Sequence, residues 1–367
     1  MSDLEGQEGV AMPAILRLIQ RKLFVIVLLF SASAWADAPS VIRMGVPGVG
    51  VGNRPVTGGS SAATMHLRGM LEEEFGKEGI RVTWSFLRGA GPAVNEAYAN
   101  GLVDFSLLGD LPSIIGKAGG LKTRVLAATA IRQNLYLTVP AGSDVRVLKD
   151  LRGRKVSLFK GTNNQLAAAK ILEKSGLSER DIRAINMDTA TAKAALGTGD
   201  IDAAFGGSDY LALRDQGLTR LIYTSKGDDP RFLRHCSFVG SQDFIQKYPE
   251  HTLRVVKTLV RAAKWMAEQD GNPEVAFQLW TRSGVTFSNY KEDWQNASLK
   301  VMSSPLVDPY IISQYNWNIQ EAKRFGLIRS TFRFEDWYEP RFLEQALREL
   351  GLEGYWKPAD ENGKIQG

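Results

Sequence analysis

The stretch Trp84–Ile114, WSFLRGAGPAVNEAYANGLVDFSLLGDLPSI, alternates strand and helix patterns, which is typical of α/β proteins. An apolar run ends at a tight turn, Gly91-Pro92, and a helix begins with proline at its first position, where the missing N–H costs nothing. Gly101 predicts a left-handed end to this helix, and Val103–Gly109 predicts the next strand. Because glycine allows the backbone to come close to its surroundings, we expect Gly91 to lie against a ligand.

A similar spacing occurs twice in the chain. The two copies are Gly101-x-x-Asp104 followed by Gly109 and Asp110, and Gly199-x-x-Asp202 followed by Gly207 and Asp209. In each copy we expect the first glycine to end a helix, the aspartate to begin a strand, and the second glycine to end that strand. The repeat indicates two similar lobes, although a glycine-rich chain also produces such spacings by chance.

Strand patterns alternate with helix patterns over most of the chain. The other strands are predicted at Val41–Val46, Arg81–Phe86, Val125–Ala130, Leu135–Val139, Lys155–Phe159 and Ile201–Gly206. This alternation predicts mostly parallel sheets with helices on both faces. After residue 240 the pattern is helical, with Pro249 at one helix start, and we expect these helices to pack around one lobe.

The N-terminal segment predicts export. Basic residues precede the apolar run Leu23–Phe30, and the small residues of Ala34-Trp35-Ala36 follow it. This is the pattern of a cleavable signal peptide over residues 1–36, with cleavage after Ala36 and a periplasmic mature protein. The alternative, a membrane anchor, is disfavoured because the run is far shorter than the roughly 20 residues that span a bilayer. Acidic residues before Met12 indicate that Met12 is the true initiator.

Composition excludes several classes of function. Removal of residues 1–36 leaves 331 residues, which is enough for two lobes. The net charge of +5 comes with no basic run of the kind that binds nucleic acid. The single cysteine, Cys236, cannot form an intramolecular disulfide, and the three histidines lack metal-binding spacing.

Catalytic and phosphate-binding motifs are missing as well. The chain has neither a G-x-S-x-G elbow nor a G-x-x-x-x-G-K-[ST] loop. The segment Gly45–Asn53 fails the dinucleotide fingerprint because Asn53 stands where the last glycine is needed. We therefore expect no cofactor, no metal and no enzymatic activity.

Several motifs together resemble one family. A Gly-Pro helix start, a G-x-x-D-F strand start and a G-[DE]-x-P turn, the last here at Gly109–Pro112, are similar to those of the sulfonate/nitrate/taurine substrate-binding proteins of bacterial ABC importers. The likeness continues through Leu148–Asn163, the GDIDAAFG segment and Glu339–Leu347. The resemblance implies an α/β, two-lobed fold of the type II periplasmic-binding-protein kind, with mixed, mostly parallel sheets flanked by helices and two crossovers. Its lobes are 38–137 plus 237–367, and 138–236.

The resemblance also implies a function. A protein of this family captures a small anionic or zwitterionic ligand, such as an aliphatic sulfonate, and delivers it to an ABC importer permease in the inner membrane. We expect it to act as a monomer without nucleic acid, and to close on a hinge near residues 134–140 and 232–238. Two alternatives remain: an enzyme resembling the thiamine-pyrimidine synthases, whose cysteine-rich motif is missing here, and a ligand-sensing accessory protein.

The ligand is expected where helix N-termini meet in the cleft, because their free N–H groups and dipoles favour an anion. The candidate contacts are Ser60, Ser61, Gly91, Pro92, Gly109, Asp110, Arg132, Gly161, Thr162, Asn163, Ser208 and Asp209. The two aspartates fit a ligand only if it also carries an amine; their alternative role is helix capping. The long loop Pro47–Gly59 and the small residues after Phe205 argue against a small alkanesulfonate.

Overall fold

The computed structural model describes residues 38–366, so the predicted signal peptide and the predicted initiator Met12 lie outside the described residues. The strands form two five-stranded sheets. The first sheet has the order β2-β1-β3-β10-β4, with β1 Val41–Pro47, β2 Arg81–Leu87, β3 Phe105–Gly109, β4 Thr123–Gln133 and β10 Arg234–Ser241. The second sheet has the order β7-β6-β8-β5-β9, with β5 Tyr136–Pro140, β6 Lys155–Leu158, β7 Arg183–Asn186, β8 Ala203–Gly206 and β9 Thr219–Thr224.

The two sheets share one plan. In each, one strand runs against the other four, β10 in the first sheet and β5 in the second. These two strands are also the first after each passage of the chain between sheets, which occurs between Gln133 and Tyr136 and between Thr224 and Arg234. The mixed, mostly parallel sheets with two crossovers confirm the fold class predicted from the sequence.

Helices cover both sheets. They are α1 Ser61–Leu67, α2 Met70–Gly76, α3 Ala90–Ala99, α4 Asp110–Ala118, α5 Asn163–Lys174, α6 Thr189–Thr198, α7 Leu211–Asp215, α8 Gln242–Lys247, α9 Pro249–Glu268, α10 Glu274–Trp280, α11 Phe287–Asp293, α12 Leu299–Met302, α13 Pro309–Arg324 and α14 Arg341–Glu349. Among the described residues, no helix combines the length and apolarity needed to cross a membrane.

The repeated G-x-x-D spacing produces the same local structure in both sheets. Gly101 and Gly199 have left-handed backbones, with φ of 65° and 78°. Asp104 accepts a hydrogen bond from the Arg43 amide of β1 at 2.8 Å, and Asp202 accepts one from the Lys155 amide of β6 at 2.7 Å. Each aspartate thereby joins the start of its own strand, β3 or β8, to the strand beside it in the sheet, β1 or β6. This shared contact explains why the spacing recurs.

Separate apolar clusters support the two sheets. Ile42, Phe105 and Phe238 of the first sheet pack with Val256 and Leu259 of α9, whose apolar stripe was visible in the sequence. The core of the second sheet includes Leu137, Val156 and Phe205 together with Ile171 of α5. The helices after residue 240 pack mainly on the first sheet and provide a further cluster of aromatic residues around Trp280.

Candidate functional site

A cavity of about 480 Å³ lies where the parallel strands of the two sheets end. Its wall includes Pro47 at the end of β1, Gln133 at the end of β4, Phe159 after β6, Gly207 after β8, and Arg234 at the start of antiparallel β10. Ligands of open α/β sheets bind in this position, outside the carboxyl ends of the strands. The volume lies within the roughly 300–1,000 Å³ that is usual for small-molecule sites.

The start of α5 forms one polar part of the wall. Thr162, Asn163 and Asn164 line the cavity in the first turn of this helix. The Thr162 hydroxyl does not cap the helix, because it donates to the Phe159 carbonyl at 2.6 Å. The positive end of α5 is therefore left to be satisfied by something in the cavity.

Arg234 provides a cation beside this helix start. Its Nη1 donates to the Asn164 side-chain oxygen at 2.6 Å, and its Nη2 donates to the Asn134 carbonyl. Each terminal nitrogen retains a second N–H, since a guanidinium carries five donors. No carboxylate of the described residues forms an ion pair with Arg234; burial lowers the pKa of this guanidinium, and more distant acids such as Asp293 partly oppose that shift.

Most other charges of the cavity are already engaged; the exception is Arg88, which lines the wall, is exposed and forms no ion pair with any described residue. Lys193 and Asp209 form an ion pair at 2.7 Å. Asp188 caps α6 by accepting from the Thr191 amide at 2.8 Å, and that hydrogen bond keeps the pKa of its carboxyl below the usual value. Asp293 accepts from the Asn134 side chain at 2.8 Å and from the Tyr136 hydroxyl at 2.7 Å. Arg88 is exposed, whereas Arg234 is half-buried beside the start of α5, so Arg234 is the cation that an anion at this helix start would meet.

An apolar corner completes the cavity. We use this name for Val51, Val285, Tyr290, Trp294 and Met302, all of which line the wall. Tyr290 and Trp294 belong to the aromatic cluster around Trp280, and the rings of both pack against the Trp280 ring.

Four of the twelve predicted contacts line this cavity: Thr162, Asn163, Ser208 and Asp209. The two serines at the start of α1 do not. Ser60 caps the helix by accepting from the Ala63 amide at 3.0 Å, and the Ser61 hydroxyl lies 2.8 Å from that of Thr129. Protein groups therefore occupy the helix start that the sequence offered to an anion.

The predicted glycine contacts approach other parts of the protein. A Cβ on Gly91 would lie 2.3 Å from Pro112, and one on Gly161 would lie 2.8 Å from Cγ of Pro92. A Cβ on Gly109 would lie 3.0 Å from the side chain of Asn163. Close approach does require glycine at these positions, but the neighbour is a protein side chain, and Gly91, Pro92, Gly109 and Gly161 lie outside the cavity wall.

Asp110 and Arg132 also lie outside the wall. Asp110 is buried, and its carboxylate accepts from the Leu111 amide at 2.7 Å and from the Asn318 side chain at 3.1 Å. The oxygen of the same Asn318 amide accepts from the Lys170 ammonium at 3.0 Å. Arg132 donates to the Gly363 carbonyl at 2.8 Å.

Burial changes the ionisation of this network. It raises the pKa of Asp110 to about 6, although Lys170 and two backbone amides oppose the rise. It lowers the pKa of Lys170 to about 8, against the attraction of Asp110. Asp110, Asn318 and Lys170 thus form a buried network that connects α4, α13 and α5 behind the cavity.

The sequence did not reveal several important wall residues. Arg234, Asn134, Asp293 and Trp294 come from segments far apart in the chain and meet only in the folded protein. The single sequence signal was the position of Arg234 within the predicted hinge 232–238, as a charged residue at the start of an apolar strand.

The surroundings of Cys236 and the placement of the possible metal ligands bear on the chemistry of the site. The Cys236 sulfur lies 3.9 Å from the Asn163 side chain, and burial raises the pKa of its thiol to about 12. It is therefore protonated at neutral pH, whereas the thiolate is the nucleophilic form. Within residues 38–366, no group of three or more His, Cys, Asp or Glu side chains is arranged to hold a metal ion.

Comparisons with known proteins agree with this fold. The periplasmic sulfonate-binding protein SsuA of Methylobacillus flagellatus KT is 31% identical, covers 88% of this chain and 98% of its own, and superposes with a TM-score of 0.73. A Bacillus subtilis protein named for aliphatic sulfonate binding is 29% identical over 203 residues, which are 55% of this chain and 60% of that relative. The matched region is thus less than two thirds of this curated relative.

A more distant neighbour shows the fold alone. The nitrate-binding protein NrtA of Synechocystis PCC 6803 is 14% identical, with a TM-score of 0.66 and coverage of 89% of this chain and 94% of its own.

The sequence model of one family, described as NMT1/THI5 like, matches residues 75–276, which is more than half of the chain. The chain therefore belongs to the NMT1/THI5-like family.

Proposed function

We propose that this protein is a periplasmic solute-binding protein that captures a small anionic or zwitterionic ligand, with a sulfonate as the leading candidate, and delivers it to the permease of an ABC importer. The observation that carries the proposal is Arg234, a cavity cation without a carboxylate partner among the described residues, placed beside the open start of α5. The names of the similar sulfonate-binding proteins support the choice of ligand.

The anion would lie between Arg234 and the first turn of α5. Hydrogen bonds to a charged group contribute about 1.5–3 kcal/mol each, and a helix N-terminus contributes about 0.3–1 kcal/mol, or more when partly buried. Thr162, Asn163 and Asn164 supply the helix side of this site, while Ser208 and Asp209 border it from the loop after β8. Asp209 is neutralised by Lys193 and so repels the anion less than a free carboxylate would.

The two proposed lobes are 38–137 with 237–367 and 138–236, and closure would occur on the hinge near residues 134–140 and 232–238, where the chain passes between the two sheets. Because the cavity wall draws on both sheets, closure would remove the anion from water and strengthen its interaction with Arg234. Export by the signal peptide at 1–36 and action as a monomer complete the proposal. Nitrate and taurine are further candidate anions, and a zwitterion such as taurine would have its amine near the cavity aspartates.

The test is calorimetric titration of the purified protein with methanesulfonate, butanesulfonate, taurine, nitrate and acetate. Arg234→Gln removes the cation and is expected to weaken binding of the preferred anion by a factor of about ten to a hundred or more. Arg231→Gln is the matched control, because Arg231 lies outside the cavity wall and is exposed and paired with Asp229. Equal loss in both variants, or no binding of any anion by the parent, contradicts the proposal.

A further inference from the structure

We propose that the ligand is an organic sulfonate with a long or aromatic apolar body, and that this body lies in the apolar corner. The inference rests on the proposed function, because it assigns the charged end of the ligand to Arg234, and it names the class of sulfonate. The corner is a specificity site: it would distinguish bulky sulfonates from small ones, while Arg234 would hold the head group of either.

One loop makes the corner continuous. The loop Pro47–Gly59 passes along the cavity and contributes much of its wall as backbone with few side chains. Near its start it touches the turn that precedes Val285, since a Cβ on Gly284 would lie 2.8 Å from the Val51 side chain. At its end it reaches the aromatic residues, since a Cβ on Gly59 would lie 4.0 Å from the Trp294 ring.

The corner and the head-group site lie along one wall. Trp294 directly follows Asp293, whose carboxylate is bound by the Asn134 side chain. The carbonyl of the same Asn134 accepts from Arg234. A ligand with its sulfonate at Arg234 can therefore extend past Asn134 to the edges of Tyr290 and Trp294, which line the wall although they are only 5% and 8% exposed. Asp293 lies between the two ends, but two donors already satisfy one oxygen of its carboxylate.

Size and exposure both favour a bulky body. The cavity of about 480 Å³ is of the size that encloses drug-sized ligands. Val51 is 45% exposed and lies on the wall, so an apolar group placed in the corner would remove it from water. A sulfonate with one or two carbons would leave this surface wet and would forgo the free energy of covering it.

The experiment is calorimetric titration of the purified protein with methane-, butane- and octanesulfonate and with naphthalene-2-sulfonate. Each methylene that the corner buries should increase affinity by about fourfold. We expect octanesulfonate and naphthalene-2-sulfonate to bind at least about tenfold more tightly than butanesulfonate, and methanesulfonate to bind most weakly.

A pair of neutral substitutions tests the corner itself. Val51→Asn should weaken octanesulfonate binding by a factor of about three to ten and leave methanesulfonate binding unchanged. Val147→Asn is the matched control, because Val147 is 55% exposed and lies outside the cavity wall, and it should change neither affinity. If affinity does not rise from butane- to octanesulfonate, or if Val51→Asn weakens both ligands equally, the inference is wrong and the proposed function stands. If no sulfonate binds but nitrate or acetate does, the inference alone is wrong; if none of these anions binds, both are wrong.

Discussion

The substitution Asp110→Asn tests the buried network behind the cavity through the pH dependence of stability. Asp110 is 2% exposed and Lys170 is 4% exposed, and both contact the fully buried amide of Asn318. Burial raises the pKa of the Asp110 carboxyl from 3.8 to about 6. The folded protein therefore holds this proton more tightly than the unfolded chain does.

The direction in which stability changes with pH follows from this difference in the pKa of Asp110 between the folded and unfolded chain. The contribution of Asp110 to stability is complete below pH of about 3.8 and is lost as the pH rises through about 6. At about 1.36 kcal/mol for each pKa unit, the loss amounts to about 3 kcal/mol. Asp110→Asn cannot ionise, so the free energy of unfolding of the parent should fall relative to the variant by about that amount over this range.

Urea unfolding followed by tryptophan fluorescence from pH 4 to pH 7 measures this difference. Asp150→Asn is the matched control: Asp150 accepts from the amides of Arg146 and Val147, which lower the pKa of its carboxyl from 3.8. The contribution of Asp150 is therefore complete above pH of about 3.8 and is lost only at lower pH, so the difference between the parent and this variant should stay nearly constant from pH 4 to pH 7. A difference between parent and Asp110→Asn that does not change with pH would refute the reasoning. If Asp110→Asn instead loses only the binding of amine-bearing sulfonates, that result would support the ligand role that the sequence predicted for Asp110.

Three further predictions concern the cavity and its closure. Thr162→Ala and Asn163→Ala should each weaken anion binding about tenfold by calorimetry, and two variants that bind like the parent would remove the α5 start from the site. Gly207→Val should weaken anion binding, because a Cβ at this position would lie 3.3 Å from the Asp209 carboxylate and 3.7 Å from the Arg234 guanidinium, so the valine methyl groups would extend into the space beside Arg234; normal binding would place the anion elsewhere. Ligand should reduce the radius of gyration of the protein in small-angle scattering. Arg214→Gln removes the ion pair to Glu292 of α11 and should increase the radius of gyration of the unliganded protein. Unchanged radii in both experiments would contradict hinge closure.

Seven of the ten strands, β1–β6 and β8, could be predicted because they depend on local patterns, whereas β7, β9 and β10 were not predicted. The G-x-x-D spacing identified β3 and β8, which take equivalent places in the two sheets, since a left-handed glycine and a strand-starting aspartate need only neighbours in sequence. The place of β10 was less visible. It pairs with β3 and β4 from more than a hundred residues away, and no local signal specifies such a pairing.

The residues of the candidate site show the same difference between local patterns, which could be predicted, and long-range contacts, which could not. Thr162, Asn163, Ser208 and Asp209 were found because each lies at a helix start that follows a strand of the second sheet. Ser60 was expected there for the same reason and yet caps its own helix. A helix start has the same sequence whether a side chain or a ligand satisfies its amides, so sequence alone does not distinguish the two cases.

Arg234 shows what determines the site beyond local pattern. In sequence it is one of many cations, and it begins a strand that is otherwise apolar. Its importance arises because β10 enters the first sheet antiparallel, which brings the start of this strand to the edge where the parallel strands end. Asn164 of α5 and Asn134 of the first crossing then supply neutral oxygens to the guanidinium where a carboxylate would have cancelled its charge. The charge that an anion needs is therefore a consequence of topology, and Arg234→Gln is the substitution that tests the topology and the function together.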